Sequence, residues 1–273
     1  MWLNIPMPTI KISYSNQSLK GDAEALAEKL GFPLLDISVD VKRESGADYL
    51  LQFNLDGLCL QSTQSKDHGP IRCNFDSAAS THRRKYGGGN GQSIARAVGV
   101  SGKFTPQILD LTAGLGGDAF VLAALGCRLT LLERNSIVYS LLNDGLQRAA
   151  LAGIGDSALA EVVARIDLQE GDSLAYLQRL APENSPDIIY LDPMFPTRKK
   201  SAKVKKEMQV FHGIVGADED AAELLGLGLQ IAKYRVVVKR SAAAGYLGEI
   251  APSYSREGKT TRFDIYALQK LPC

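Results

Sequence analysis

The residues of this chain that can do chemistry sit at the ends of short apolar runs. The first group is Asp110-Leu-Thr-Ala-Gly114-Leu-Gly116-Gly117-Asp118, placed between a run that reads as a strand and one that reads as a helix. Glycines at such a junction allow positive φ and let the backbone come close to a ligand. The spacing also satisfies the dinucleotide pattern G-x-G-x-x-A through Gly114, Gly116 and Ala119, and by itself it is equally a tight turn without a ligand. Glu133 ends the next apolar run, 19 residues after Gly114. A carboxylate there can accept two hydrogen bonds from ribose hydroxyls, and Arg134 is expected to line the same wall. A third group, Gly171-Asp172-Ser173, follows the run Ile166–Gln169. It offers an acid and a hydroxyl to an adenine amine, and also an N-cap for the helical pattern Leu174–Leu180; the two roles are compatible.

The fourth group is Ile188-Ile-Tyr-Leu-Asp192-Pro193-Met194-Phe195-Pro196. An apolar strand running into Asp-Pro-x-Phe resembles the Asn/Asp-Pro-Pro-Tyr/Phe signature of methyltransferases that modify exocyclic base amines. Such an amine is a poor nucleophile, because its lone pair is delocalised into the ring. A carboxylate and a neighbouring backbone carbonyl can accept its two N–H bonds and orient the lone pair. Pro193 fixes the local turn and removes a competing donor. Phe195 offers a face for stacking an extracted base. Arg198, Lys199, Lys200, Lys203, Lys205 and Lys206 follow at once, six cations in nine positions. With a net charge of only +1, that local excess reads as a phosphate-contacting surface. Arg83, Arg84 and Lys85 suggest a second edge of it, with Tyr86 available to stack on a base or to pack in its loop.

These groups need a scaffold, and the intervening pattern supplies one. From Pro106 onward, strand patterns at Ile108–Leu111, Arg128–Leu132, Ile188–Leu191 and Val236–Val238 alternate with helical ones at Ala119–Leu125, Ser136–Ala152 and Ala221–Ala232. Val162–Leu168 reads as helix then strand, and Arg262–Leu268 as the last strand. Such alternation predicts a doubly wound, Rossmann-like α/β sheet, here with an antiparallel last strand. Residues 1–80 read as a small N-terminal α/β appendage. Its strands are expected at Thr9–Tyr14, Pro33–Val39, Tyr49–Leu55 and Leu58–Gln61, the last two joined at Asp56-Gly57. A helix is expected over Asp22–Leu30, capped by Asp22 and stopped by Gly31. Residues 81–105 form a basic, glycine-rich connector with a short helix at Ser93–Val100.

Composition narrows the classes. Hydrophobic residues make up 45% and charged residues 22% of the 273, as in ordinary globular chains. No apolar run approaches the ~20 residues of a membrane span, and no leader pattern opens the chain. Cys59, Cys73, Cys127 and Cys273 form no C-x-x-C pair, and His68, His82 and His212 show no ligand spacing, so no metal site is expected. Neither a Ser-His-Asp order nor a G-x-S-x-G elbow occurs. Reduced thiols and the missing leader suggest the cytoplasm. Lys239-Arg240 follows the buried strand at Val236–Val238, a place near the site, but is given no role.

Taken together, DLTAGLGGDAFVLAALGCRLTLLERN, YLDPMFPTRKKSAKVKKEMQVF, VVVKR and RFDIYAL resemble the RsmJ-type 16S ribosomal RNA guanine-N2 methyltransferases over about residues 80–270. The resemblance implies a class I methyltransferase domain over 106–273, S-adenosyl-L-methionine as donor and S-adenosyl-L-homocysteine as product. The target it implies is the N2 amine of guanine 1516 in 16S ribosomal RNA, free or in the small subunit. By position it implies cofactor contacts at Asp110, Gly114, Gly116, Gly117-Asp118, Glu133-Arg134, Asp172-Ser173 and Asp192. The family often has Arg where Gly117 stands and two serines where Asp172-Ser173 stand. Three other readings compete. An NAD-dependent oxidoreductase accounts for the glycine turn and Glu133 but leaves Asp-Pro-x-Phe and the lysine run unexplained. A non-catalytic RNA-binding protein has no need of the acid at Asp192. A DNA adenine or cytosine amine methyltransferase shares the same chemistry, and only its product differs.

Overall fold

The structure is a computed structural model that describes residues 8–36, 46–64, 69–77, 89–194, 213–216 and 218–272. The described residues fall into two compact units: those of 1–73, 136–145 and 194–217, and those of 74–135, 146–193 and 218–273.

The first unit is built on a three-stranded sheet. β1 (Ile10–Tyr14) pairs in parallel with β2 (Tyr49–Asn54), which turns back into β3 (Gly57–Ser62). Gly57 at φ +106° makes that tight return, a backbone setting that side-chain-bearing residues avoid. α1 (Lys20–Leu30) buries Ala23 and Leu26 and stops at Gly31, whose φ of +68° is the left-handed cap. Asp22 does not cap it. The turn begins earlier, where the Asn16 side chain accepts the Ser18 N–H at 3.0 Å and a 3-10 turn runs into the helix. Asp22 instead lies in the first turn, where an acid favours the helix dipole. Of the strand expected over Pro33–Val39, only a bridge from Leu34 to Ile12 is seen up to residue 36; the rest lies outside the described residues.

The second unit carries a seven-stranded sheet. Its strands are β4 (Gln107–Asp110), β5 (Arg128–Glu133), β6 (Ile166–Glu170), β7 (Ile188–Leu191), β8 (Arg235–Ser241), β9 (Tyr254–Glu257) and β10 (Thr261–Ala267). They run in the order β6-β5-β4-β7-β8-β10-β9, parallel except that β10 is antiparallel to both its neighbours. The expected antiparallel last strand is therefore present, together with β9, which the sequence pattern did not resolve. Buried runs such as Ile188–Leu191 and Val236–Val238 are what a sheet covered on both faces requires. The helices supplying that cover are α2 (Ser93–Val98), α3 (Gly117–Ala124), α5 (Ser157–Val163), α6 (Ser173–Arg179) and α7 (Ala221–Ile231); α4 (Ser136–Ala152) runs from one unit into the other. α2 packs on α3 and α3 on α5, while α6 packs on α7. Phe120 and Leu122 of α3 are buried, and each such side chain stabilises the fold by about 1.5–3 kcal/mol. Strand order reverses between β4 and β7, so their carboxyl ends flank the crevice where doubly wound sheets bind ligands.

Candidate functional site

β4 delivers Asp110 to that crevice. Its carboxyl is buried and accepts the Thr112 N–H at 3.0 Å. Burial pushes it up to about 7, helped by the negative charges of Asp118, Asp192 and Glu133 and opposed by the Thr112 hydrogen bond. The chain then turns through Gly114 at φ +55° and Gly116 at φ +70° before α3 starts at Gly117. Both glycines hold a left-handed backbone, as the motif predicts. At Gly117 an added Cβ would meet nothing within 4 Å, so that position is open space rather than a close approach.

β5 delivers Glu133. One of its oxygens accepts the Gly114 N–H at 2.9 Å and the other accepts the Asn135 N–H at 2.8 Å. The acid thus braces the glycine turn, and each oxygen keeps a lone pair for a further donor. Burial raises it to about 7 against those two backbone donors. Arg134 turns to a different task, with its guanidinium paired to Asp218 and, at 2.8 Å, to Asp220 just before α7. Asp172 N-caps α6 by accepting the Ala175 N–H at 2.8 Å. The Ser173 hydroxyl is buried and donates to the Leu111 carbonyl at 2.7 Å, tying the end of β6 to the end of β4.

β7 delivers Asp192. Its backbone N–H donates to the Thr112 hydroxyl at 2.7 Å, which fastens the Asp-Pro turn to the glycine turn. Its carboxylate accepts from the Lys239 ammonium at 2.8 Å, and the same ammonium donates at 2.8 Å to Asp118, the second residue of α3. The buried Tyr190 hydroxyl donates to the same Asp118 oxygen at 2.6 Å. The cluster is not sealed, since the Asp192 side chain keeps 41% of its surface and Asp118 33%. Burial and the Asp118 charge lift the Asp192 carboxyl above the usual range, while Lys239 pulls it back. For Lys239, burial opposes the charge, but Asp192 and Asp118 outweigh it and hold the ammonium above the ordinary lysine value. Two carboxyl groups thus share one ammonium, an acidic excess suited to a cation.

The sequence-singled acids Asp110, Asp118, Glu133 and Asp192 and the turn Gly114–Gly117 thus meet at the carboxyl ends of β4, β5 and β7. Pro193 is buried beside them. Phe195, the cations Arg198, Lys199, Lys200, Lys203, Lys205 and Lys206, and the group Arg83, Arg84, Lys85 and Tyr86 lie outside the described residues. Three contributors carried no assignment from sequence: Thr112, Tyr190 and Lys239. Lys239 had a signal, a cation closing an apolar parallel strand on the crevice side. Among the described residues, no group of three or more His, Cys, Asp or Glu side chains could hold a metal ion. No described helix is long and apolar enough to cross a membrane.

Comparison with known proteins agrees with this geometry. The SAM_MT family model, which describes SAM-dependent methyltransferases, matches residues 35–268. A protein of Cellvibrio japonicus named ribosomal RNA small subunit methyltransferase J is 52% identical over 92% of this chain and 94% of its own length. The protein of the same name from Marinobacter nauticus is 47% identical over 96% of this chain and 93% of its own. The crystal structure of the SAM-dependent methyltransferase NGO1261 from Neisseria gonorrhoeae superposes with a TM-score of 0.67 at 34% identity, covering 94% of this chain and 95% of that one. With a Rossmann-like sheet, a glycine cradle and an Asp-Pro turn fastened at adjacent strand ends, the chain belongs to the SAM-dependent methyltransferases, in the ribosomal RNA small subunit methyltransferase J family.

Proposed function

We propose that this enzyme methylates the N2 amine of a guanine in small-subunit ribosomal RNA, guanine 1516 as the resemblance implies. The observation that carries the reading is the coupling of two turns: the Thr112 hydroxyl accepts the Asp192 backbone N–H and Lys239 holds the Asp192 carboxylate, beside the Gly114–Gly117 cradle. The cradle suits a nucleoside cofactor, since Gly114 and Gly116 are left-handed and the adjoining cluster sets two carboxyl groups against one ammonium, an acidic excess that matches a sulfonium. Asp110, Gly114, Gly116, Gly117, Asp118 and Glu133 would hold it, Glu133 using its spare lone pairs for the ribose hydroxyls. Asp172, Ser173 and Arg134 would act one step back, by capping α6, joining β6 to β4 and fixing the segment before α7. S-adenosyl-L-methionine, when bound, supplies a methyl carbon already activated by the sulfonium and leaves as S-adenosyl-L-homocysteine, so no metal is needed.

The chain's own residues perform the rest. Asp192 and the Pro193 carbonyl accept the two N–H bonds of the amine, draw its lone pair out of conjugation and aim it at the cradle. Holding the nucleophile in line is the main source of rate in such a displacement. After transfer the nitrogen carries one proton too many, and the Asp192 carboxylate takes it and passes it to solvent across its exposed side. Phe195 stacks the base. The basic run of Arg198, Lys199, Lys200, Lys203, Lys205 and Lys206, with Arg83, Arg84, Lys85 and Tyr86, carries the RNA backbone. Such a substrate places the enzyme in the cytoplasm. The test is incubation with methyl-labelled S-adenosyl-L-methionine and undermethylated small-subunit RNA or particles, followed by nucleoside analysis. Label in N2-methylguanosine is expected. Folded, cofactor-binding protein that labels no guanine would sink the proposal, and label in adenine or cytosine would reassign the target.

A further inference from the structure

We infer that Lys239 is the positioning residue of the acceptor half of the site, holding the Asp192 carboxylate as a fixed, ionised hydrogen-bond acceptor and coupling it to Asp118 at the head of α3. The inference rests on the function proposed above. Its basis is geometric. One ammonium at the end of β8 donates at 2.8 Å to both acids, which come from two other elements. The amine of a base needs an acceptor at Asp192, and a protonated carboxyl would offer a donor on one oxygen instead. Among the described residues, the other groups acting on Asp192 are Asp118 from α3, Tyr190 from β7, Asp110 from β4 and Asp218 before α7, none of them a cation. Among the described residues, Lys239 is the cation whose charge and hydrogen bond favour the ionised form of Asp192. Without it, two acids would sit together in a half-buried crevice, and the first to take a proton would lose its role.

The sign of the effect follows. Lys239 lowers the pH at which Asp192 becomes protonated, so its removal must move that titration to higher pH. The experiment uses the full-length enzyme and its Lys239→Met and Lys239→Arg variants. Label transfer to small-subunit RNA is measured from pH 5.5 to 9, and the Asp192 carboxyl is titrated by carbon-13 NMR, its signal assigned with Asp192→Asn. For Lys239→Met we expect kcat to fall about a hundredfold near neutrality, the size of effect that a misplaced reacting group produces. The acid limb and the Asp192 titration should both move up by at least about one pH unit, while KM for S-adenosyl-L-methionine changes by less than about threefold. Lys239→Arg should bring the limb and the titration back toward wild type. A Lys239→Met enzyme with an unmoved limb and an unmoved Asp192 titration overturns the inference. So does one that only melts earlier while its folded fraction keeps the wild-type pH profile. If wild type labels no RNA, the substrate reading fails by itself, and the Asp192 titration still decides the role of Lys239.

Discussion

Two consecutive cations on β8 meet opposite fates. Lys239 reaches the crevice, where it shares its ammonium between Asp118 and Asp192, and all three side chains stay between 26% and 41% exposed. Arg240 points to the other face, where its guanidinium donates to the Gly245 carbonyl at 2.7 and 3.2 Å. Directly across the ladder stands Arg262, and like charges facing each other repel. Asp264, fully buried, relieves the conflict by accepting from Arg262 at 2.8 and 3.0 Å and from Ser255 at 2.6 Å. Arg262 also donates to the Ala242 and Ala244 carbonyls. Both clusters contain an ion pair and take a cation from β8. One spends its acceptors inside the protein and closes. The other leaves carboxylate oxygens facing an opening, and that remainder marks it as a place for a ligand.

The contrast predicts reciprocal damage, which is the largest expected effect. Asp192→Ala should lower label transfer by about a thousandfold, as loss of a group aimed at the reacting centre does, while the melting temperature stays near wild type. Asp264→Ala should do the reverse. It strands two guanidinium groups in a closed site, at a cost of about 3–5 kcal/mol, or roughly 10 °C in melting temperature. Its folded fraction should keep the wild-type kcat. Paired melts and single-turnover assays decide the matter. An Asp192→Ala enzyme of wild-type rate, or an Asp264→Ala protein of wild-type stability, erases the distinction.

Sequence alone separated these clusters only in part. Asp110, Glu133 and Asp192 are legible because each closes an apolar run, and parallel sheets put such ends on one edge. The glycine turn is legible because Gly114 and Gly116 adopt a backbone few other residues tolerate. Lys239 and Arg240 are not separable in one dimension, because which neighbour faces the crevice depends on the pleat of β8 and on the partner strand it meets. Thr112 and Tyr190 are hidden for a similar reason: their hydroxyl partners lie about 70–80 residues away in the chain. Asp172 and Ser173 read as ligand groups or as caps, and only the Ala175 and Leu111 contacts show what their side chains do in the fold. β9 went unseen because Tyr254–Glu257 is a short, largely exposed edge strand with no apolar alternation.

A middle-sized effect concerns the acids that have neither arrangement. Asp110 and Glu133 are buried with backbone donors but no ammonium in contact, and both are pushed up to about 7. Unfolded, such groups titrate near 4. Between those values the folded protein binds more protons than the unfolded chain, so stability falls as pH rises toward 7. Urea melts of the cofactor-free protein from pH 4.5 to 7.5 should show this slope, and Asp110→Asn should flatten it by up to about one proton. An unchanged slope would mean that Asp110 stays ionised in the folded state, and the crevice would then carry more negative charge than its burial implies.

The smallest effect tests openness with a single methyl group on each side of the comparison. Gly117 heads the helix beside Asp118, and an added Cβ would meet nothing within 4 Å. Gly258 stands in the turn between β9 and β10, next to the closed cluster, where a Cβ would come 2.7 Å from the Thr261 carbonyl oxygen. That oxygen is backbone and already accepts the Gly258 N–H at 2.8 Å, so it cannot yield without disturbing the hairpin. Gly117→Ala should therefore leave stability unchanged or raise it by up to about 1 kcal/mol through helix propensity, while weakening S-adenosyl-L-methionine binding about tenfold, since its methyl group enters the space beside the cradle. Gly258→Ala should cost about 1–3 kcal/mol through overpacking and leave affinity alone. Chemical melts and calorimetric titration of both variants read the two quantities separately. A Gly117→Ala protein that folds well and keeps wild-type cofactor affinity would show that the ligand leaves the space beside α3 empty, and Gly117 would then lie outside the cofactor's seat.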